Sequence, residues 1–192
     1  MGKPARSLEF EDEDLKAIQS LNLITMKPVL YLCNVDEGSL EKDNEYVSKV
    51  AELSKSEGSE FIKISGQLES EIASLETDVE KNEFLEAAGL EHSGLETLTT
   101  RAYEMLGFKT YFTAGEKEVR AWTFKSGAKA PEAAGVIHSD FERGFIRAEV
   151  YHCEDLFYLG SEAKVRENGK LRLEGKDYVV KDGDVIHFRF NV

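Results

Sequence analysis

Apolar positions along the first half of the chain recur mostly at intervals of three and four residues, the spacing of amphipathic helices, and two short runs interrupt that rhythm. The first, Pro28-Val29-Leu30-Tyr31-Leu32-Cys33, stops at Asn34 and gives way to Val35-Asp36-Glu37. It is too short for an ordinary helix and nearly continuous in hydrophobicity, which predicts a strand buried on both faces of a parallel sheet. The second run, Phe61-Ile62-Lys63-Ile64, ends at Ser65-Gly66-Gln67. Between them Glu41 to Ser56 is predicted to be the crossover helix, with Tyr46, Val47, Val50, Ala51 and Leu53 as its buried stripe and Gly58 as its stop. Both following loops then open on the carboxyl edge of the sheet, where open α/β folds bind ligands.

The same periodicity predicts further helices. Met1 to Phe10 reads as a polar arm without helix, and Glu11 to Leu21 as a short helix with acids in its first turn and Leu15, Ile18 and Leu21 on one face. Gln67 to Leu75 is helical. Thr77 to Ala88 opens with a Thr77-x-x-Glu80 capping box and closes at Gly89, and a second box at Ser93-x-x-Glu96 starts a helix that reaches Leu106.

From Lys109 the period changes to two. Thr110 to Thr113 and Val119 to Phe124 form a predicted hairpin around Ala-Gly-Glu-Lys, Pro131 opens a short helix through Ala133 and Val136, and Phe145 to Tyr151 is a strand. Cys153 to Val165 reads as irregular and helical by turns. Asn168-Gly169 and Asp182-Gly183 bracket Leu171 to Leu173 and Asp177 to Val180, before a closing strand from Val185 to Phe190. This order of elements is an α+β pattern, a small mixed sheet wrapped on one helix.

Charge divides the chain at the same place. Residues 1–108 carry 10 Lys and Arg against 23 Asp and Glu, whereas residues 109–192 carry 14 of each, so the whole net charge of −13 lies in the first part. That step predicts a boundary near Gly107, with the acidic part repelled by nucleic acid and the balanced part free to cluster its cations. No run of about 18 apolar residues and no basic, apolar leader occurs, so a cytoplasmic protein without membrane insertion is expected. Cys33 and Cys153 are expected as buried thiols.

Several stretches resemble a known family. Lys27-Pro28-Val29-Leu30-Tyr31 running into Asn34-Val35-Asp36-Glu37 resembles the base-binding strand of the YchF subfamily of Obg-like ATPases. Lys117 to Thr123, Ala133 to His138, Asp140 to Arg147, Glu174 to Tyr178 and Asp182 to Val185, continuing to Phe188 to Val192, resemble its TGS domain. The resemblance implies an α/β partial P-loop NTPase domain followed by an α+β β-grasp, ubiquitin-like TGS domain. Residues 1–25 would be the tail of a helical insertion, 26–108 the carboxyl-terminal part of the NTPase domain, and 109–192 the TGS domain. The family's amino-terminal half is expected to be absent: no G-x-x-x-x-G-K-[ST] loop and no D-x-x-G occur, so there is no cradle for phosphates and Mg²⁺.

What the resemblance carries over is the base end of the nucleotide site, Asn34, Val35 and Glu37 with Ser65, Gly66 and Gln67, and no catalytic residue. In related GTPases an N-K-x-D motif reads guanine through its Asp, an acceptor for two base donors. Here Val35 stands at the Lys position and Glu37, one methylene longer, at the Asp position, which implies ATP over GTP. Asn34 is expected to tie the two loops and donate to the purine, and Gly66, usually Ala in the family, to let backbone approach the base. ATP and Mg²⁺ are the expected cofactors of a complete protein, with neither held tightly by this chain.

Two function classes follow: part of a ribosome-associated NTPase, or a stand-alone TGS module binding RNA, ribosome or protein without nucleotide activity. In both, ribosome or RNA contact is expected through Lys117, Arg120, Lys125, Lys129, Arg143 and Arg147, with no DNA sequence recognition. His138, His152, Cys153 and His187 lack zinc spacing, so no metal site is expected. Asp182 and Asp184 read as a turn. Trp122 and Phe124 read as core rather than as a base-stacking platform.

Overall fold

The computed structural model describes residues 3–115 and 118–191, which divide into two compact units, Met1–Leu106 and Gly107–Val192. In the first unit a 3-10 turn at Ala5–Ser7 follows Pro4, so the polar arm is partly helical after all. Its Arg6 explains the order there: the guanidinium lies 3.0 Å from Glu57 Oε2, which also accepts the Tyr31 hydroxyl at 2.9 Å. Helix α1 (Asp12–Gln19) carries the acidic first turn and ends before Leu21; Leu15 on its apolar face is exposed, as is Leu21 beyond its end, and Ile18 is half-buried. After a 3-10 turn at Ile24–Met26, β1 (Leu30–Asn34) leads through the single turn α2 (Gly38–Glu41) into α3 (Glu45–Glu57).

Helix α3 starts where the Asn44 side chain accepts from the Tyr46 and Val47 amides, both at 3.0 Å, and stops at Gly58 with φ +64°. Its inner face is Val47, Val50, Ala51 and Ser54, an i, i+3, i+4, i+7 stripe. Tyr46 and Leu53, expected in that stripe, lie outside it at 77% and 44% exposure, because each sits about 100° around the helix from a stripe residue. The chain then runs into β2 (Glu60–Ile64), parallel to β1 from Leu30↔Glu60 to Asn34↔Ile64. Burial on both faces is corrected for β1. No residue of the strand is fully buried and Leu32 is 48% exposed, since among the described residues each strand has one partner and α3 is the helix packed on both.

Three helices complete the unit: α4 (Gly66–Ala73), α5 (Asp78–Ala87) and α6 (Gly94–Leu106). Thr77 and Glu80 make the expected reciprocal cap on α5. The start of α6 is held twice, by Ser93 with Glu96 and by Glu69 of α4, whose carboxylate accepts the Gly94 amide at 2.6 Å and the Leu95 amide at 3.3 Å. Gly94 sits so close to β2 that a Cβ there would fall 2.5 Å from Ile64 Cγ1.

The second unit is a five-stranded mixed sheet in the order β4-β3-β7-β5-β6. Its strands are β3 (Phe108–Ala114), β4 (Val119–Lys125), β5 (Phe145–His152), β6 (Arg172–Glu174) and β7 (Asp184–Phe190), with only β3 and β7 parallel. Helix α7 (Ala130–Ile137), with Pro131 in its first turn, lays Ala130, Ala133 and Ala134 against Tyr111, Phe124, Val150 and Ile186. The Tyr111 phenol is fully buried, and its hydroxyl donates to the Ala133 carbonyl at 2.9 Å. Burial pushes its pKa far above the ordinary range. The short α8 (Ser139–Arg143) follows. The stretch expected to be irregular is two helices, α9 (Cys153–Leu159) and α10 (Glu162–Glu167), capped by His152 and Ser161, and Val165 of α10 packs with Tyr151 and Val185 on the other face.

Asp182 and Asp184 belong to the turn that delivers β7. Asp182 Oδ1 accepts the Thr110 amide at 2.7 Å, Gly183 between them has φ +77°, and the buried Asp184 accepts from the Tyr178 hydroxyl at 2.7 Å and the Lys181 amide at 2.9 Å. The Arg172 guanidinium lies 3.7 Å from its other oxygen.

Two expectations follow. Strands with one partner each open more readily than a strand bonded on both sides. In a monomeric sample amide exchange is therefore expected to be faster in β1 and β2 than in β5, which is laddered to β6 and β7; equal protection would contradict the exposed sheet. The second concerns the Arg6–Glu57–Tyr31 contact. Hydrogen bonds from Tyr31 and then Arg6 hold the Glu57 carboxyl below its ordinary 4.5, so the contact's stabilisation is present above that value and is lost as pH falls through the lowered one. Arg6→Ala is expected to lower the melting temperature of the first unit near neutral pH and to leave it unchanged below about pH 3, where carboxylates are protonated, as calorimetry at the two pH values would report.

Candidate functional site

The parallel pairing of β1 and β2 puts their following loops side by side. Val35 extends the ladder by donating its amide to the Ile64 carbonyl at 2.9 Å, and its side chain is half-buried. Asn34 Oδ1 accepts the Gly66 amide at 3.0 Å, a side-chain bridge between the two loops. With the oxygen so engaged, the Nδ2 donor of the exposed Asn34 is available at the sheet edge. Gly66 opens α4, and a Cβ on it would meet Asn34 Oδ1 at 3.3 Å, so Gly gives the bridge its room. Ser65 is the buried N-cap of that helix, with its Oγ 3.5 Å from the Leu68 amide. Gln67 is turned along the helix, donating to Glu71 at 3.1 Å.

Beyond Asn34 the loop tightens, with Asp36 accepting the Ser39 amide at 2.9 Å and Glu37 immediately preceding α2. Glu37 is exposed and faces a groove of about 490 Å³ whose far wall is Ala88, Gly89 and Leu90. The structure thus joins Asn34 to Gly66 directly and sets Glu37 one turn further on. The Ala88–Leu90 wall escaped sequence reasoning, whose one signal there, Gly89 after α5, marks a helix end and not a neighbour in space.

The cations of the second unit are dispersed. Lys117 lies outside the described residues. Arg120 stacks over the Trp122 ring at 4.1 Å and lies 3.9 Å from Glu118; Lys125 stands 5.1 Å from the Phe108 ring. Lys129 is paired with Asp177 at 2.8 Å, which raises its pKa, and Arg143 is paired with Asp140. Arg147 is directly across the β5–β7 ladder from Arg189, a cation that the sequence reading left out. Phe124 is core, whereas Trp122 is half-buried, with its indole donating to Thr113 Oγ1 at 2.9 Å.

Cys33 and Cys153 are free, half-buried thiols, and burial raises the pKa of Cys33. Among the described residues no group of three or more His, Cys, Asp and Glu side chains is placed to hold a metal ion, and no helix is long and apolar enough to cross a membrane.

Comparison with known proteins decides the family. The YchF-GTPase_C model, described as "Protein of unknown function (DUF933)", matches residues 108–191. The ribosome-binding ATPase YchF of Bacillus subtilis is 57% identical over 192 residues, covering 99% of this chain and 52% of the relative. The chain belongs to the YchF subfamily, as its carboxyl-terminal portion. The ribosome-binding ATPase YchF of Haemophilus influenzae is 51% identical over 187 residues, with 97% of this chain and 51% of the relative covered. Among solved structures, the Schizosaccharomyces pombe YchF GTPase superposes with a TM-score of 0.83 at 37% identity, over 97% of this chain and 50% of that one. A GTP binding protein from Pyrococcus horikoshii, at 17% identity and a TM-score of 0.60, shares the fold over 95% of this chain and 51% of its own. The chain spans about half the length of the curated YchF relatives it matches.

The Asn34–Gly66 bridge gives a direct test. Asn34→Ala removes the acceptor from the Gly66 amide and is expected to lower the stability of the first unit by about 1 kcal/mol, read as a shift in urea midpoint at unchanged slope. An unshifted midpoint would mean that the β1–β2 ladder alone sets the loop spacing.

Proposed function

We propose that this chain is the base-reading and ribosome-contacting portion of a ribosome-binding ATPase. In this reading the first unit is the carboxyl-terminal part of a P-loop NTPase domain, and Asn34, Val35, Glu37, Ser65, Gly66 and Gln67 surround the purine. The observation that carries it is the Asn34–Gly66 hydrogen bond, which holds two loops at the carboxyl edge of parallel strands and leaves an amide donor facing outward. Glu37 at the position of the guanine-reading Asp, with a longer side chain and no adjacent Lys, favours ATP over GTP. The second unit is a TGS domain of β-grasp type, supported by one helix packed on a mixed sheet with its first and last strands parallel. It makes the ribosome or RNA contact, Arg120, Lys125, Arg147 and their neighbours supplying cations, and the protein works where ribosomes are, in the cytoplasm.

Phosphate contacts and Mg²⁺ supply most of the affinity in P-loop proteins, and no phosphate-cradling motif occurs in these 192 residues. That observation favours the second reading for the chain by itself, a binding module without nucleotide turnover. Base contacts at roughly 0.5–1.5 kcal/mol each do not offset several kcal/mol of lost ligand freedom. Calorimetry is therefore expected to give ATP a dissociation constant of about a millimolar or weaker on this chain, with no hydrolysis. In a full-length relative carrying the corresponding residues, the Val35→Lys and Glu37→Asp pair is expected to shift preference toward GTP. Micromolar ATP binding by this chain, or an unchanged preference in the double variant, would overturn the assignment of the base site.

A further inference from the structure

The sheet of the second unit is split between two of its strands. β3 and β7 have seven residues each, yet among the described residues they share one ladder pair, Phe112↔Val185. The Gly115 amide donates to the Glu118 carbonyl at 2.9 Å, which fixes the odd-numbered residues of β3 as those bonded to β4. Ala114 accordingly turns its peptide groups toward β7, where the register would join it to His187 and no pair forms. On its other edge β7 stays paired with β5 as far as Phe190↔Phe145, so the parting is a wedge inside the sheet.

A cleft of about 720 Å³ occupies that wedge, and aromatic rings line it. Trp122 is pinned through its bond to Thr113, with the Arg120 guanidinium over its ring. Phe141 and Phe190 stack on one another with centroids 3.8 Å apart and form another wall. Arg189 borders the cleft between Phe188 and Phe190, but its side chain alternates with theirs to the opposite face of the sheet, where Glu149 holds it at 3.1 Å.

We propose that this cleft takes one unpaired base of an RNA strand, stacked among Trp122, Phe141 and Phe190, with an adjacent phosphate held by Arg120. The inference rests on the reading that the second unit contacts RNA or the ribosome, and it specifies a single-stranded nucleotide as what is recognised. Aromatic faces beside guanidinium groups are the combination that binds single strands, and the unladdered peptide groups of Ala114 and Phe188 offer hydrogen bonds to a base edge. An apolar peptide side chain would use the rings and leave those polar groups idle. A duplex could not present a base to the cleft without unpairing.

Trp122 is the single tryptophan of the chain, so its emission reports this cleft directly. The chain is titrated with a short unstructured oligoribonucleotide, with the same strand annealed to its complement, and with inorganic polyphosphate. The single strand is expected to quench Trp122 saturably, and the duplex and polyphosphate are not. With one phosphate held, the log–log salt slope should be about −0.7, and Arg120→Gln should bring it close to zero. Phe141→Ala, which keeps the fluorophore, is expected to weaken binding roughly tenfold or more; if that variant fails to fold, the Arg120→Gln slope still decides. Single-strand binding with unchanged emission, equal quenching by duplex or polyphosphate, a slope insensitive to Arg120, or no binding would each overturn the proposal. Ribosome co-sedimentation on the same preparation separates the two levels: a chain that sediments with ribosomes but fails these tests loses only the cleft, and one that does not sediment loses the ribosome reading too.

Discussion

Parallel pairing is the constraint from which the first unit takes its form. Two strands running the same way require a crossover, which α3 supplies, and the crossover returns both loops to one edge of the sheet. Asn34 and Gly66, 32 positions apart in the chain, are then within one hydrogen bond of each other. The same pairing creates an unmet demand. A parallel sheet is stable when both of its faces are covered, and here Leu32, Leu15 and Leu21 remain in solvent. Relatives of about twice the length have further chain available to meet that demand.

The second unit holds its buried polar side chains mainly by hydrogen bonds, with Asp184 Oδ1 left to the Arg172 guanidinium 3.7 Å away. Tyr111 and Asp184 are both fully buried, and each has found a hydrogen-bond partner, Ala133 for the phenol and Tyr178 and Lys181 for the carboxylate. Removing one side of such a buried pair leaves a desolvated group behind, so these contacts fix the path of the turn before β7 and the depth of α7 on the sheet. The split between β3 and β7 stands out against this order. Neighbouring strands bonded through their length would close the cleft, and the aromatic residues around it would then pack as ordinary core.

Local signals carried the reading of the elements a long way. The capping residues of α5 and α6 form the contacts their spacing implies, and the step in charge falls beside the division of the chain at Leu106 and Gly107. Errors came where a residue's type was taken for its direction. Tyr46 and Leu53 are apolar enough for a core, but their angular position on α3 points them outward. Cys153 to Leu159 and Glu162 to Glu167 are too short to show a full helical period, so their order became visible only with the face of the sheet they cover.

By itself the sequence determined the parallel pair with its crossover, the change to a β-rich unit after residue 107, the turn chemistry of Asp182-Gly183-Asp184 and the family, because each depends on residues close together in the chain or on long unbroken matches. Tertiary structure decided the rest: that Asn34 meets Gly66, that Leu90 faces Glu37 across a groove, that Arg147 stands opposite Arg189, and that Trp122 borders a cleft while Phe124 fills the core. Those are contacts between residues far apart in sequence. They are set by strand register and helix packing, which no local pattern specifies.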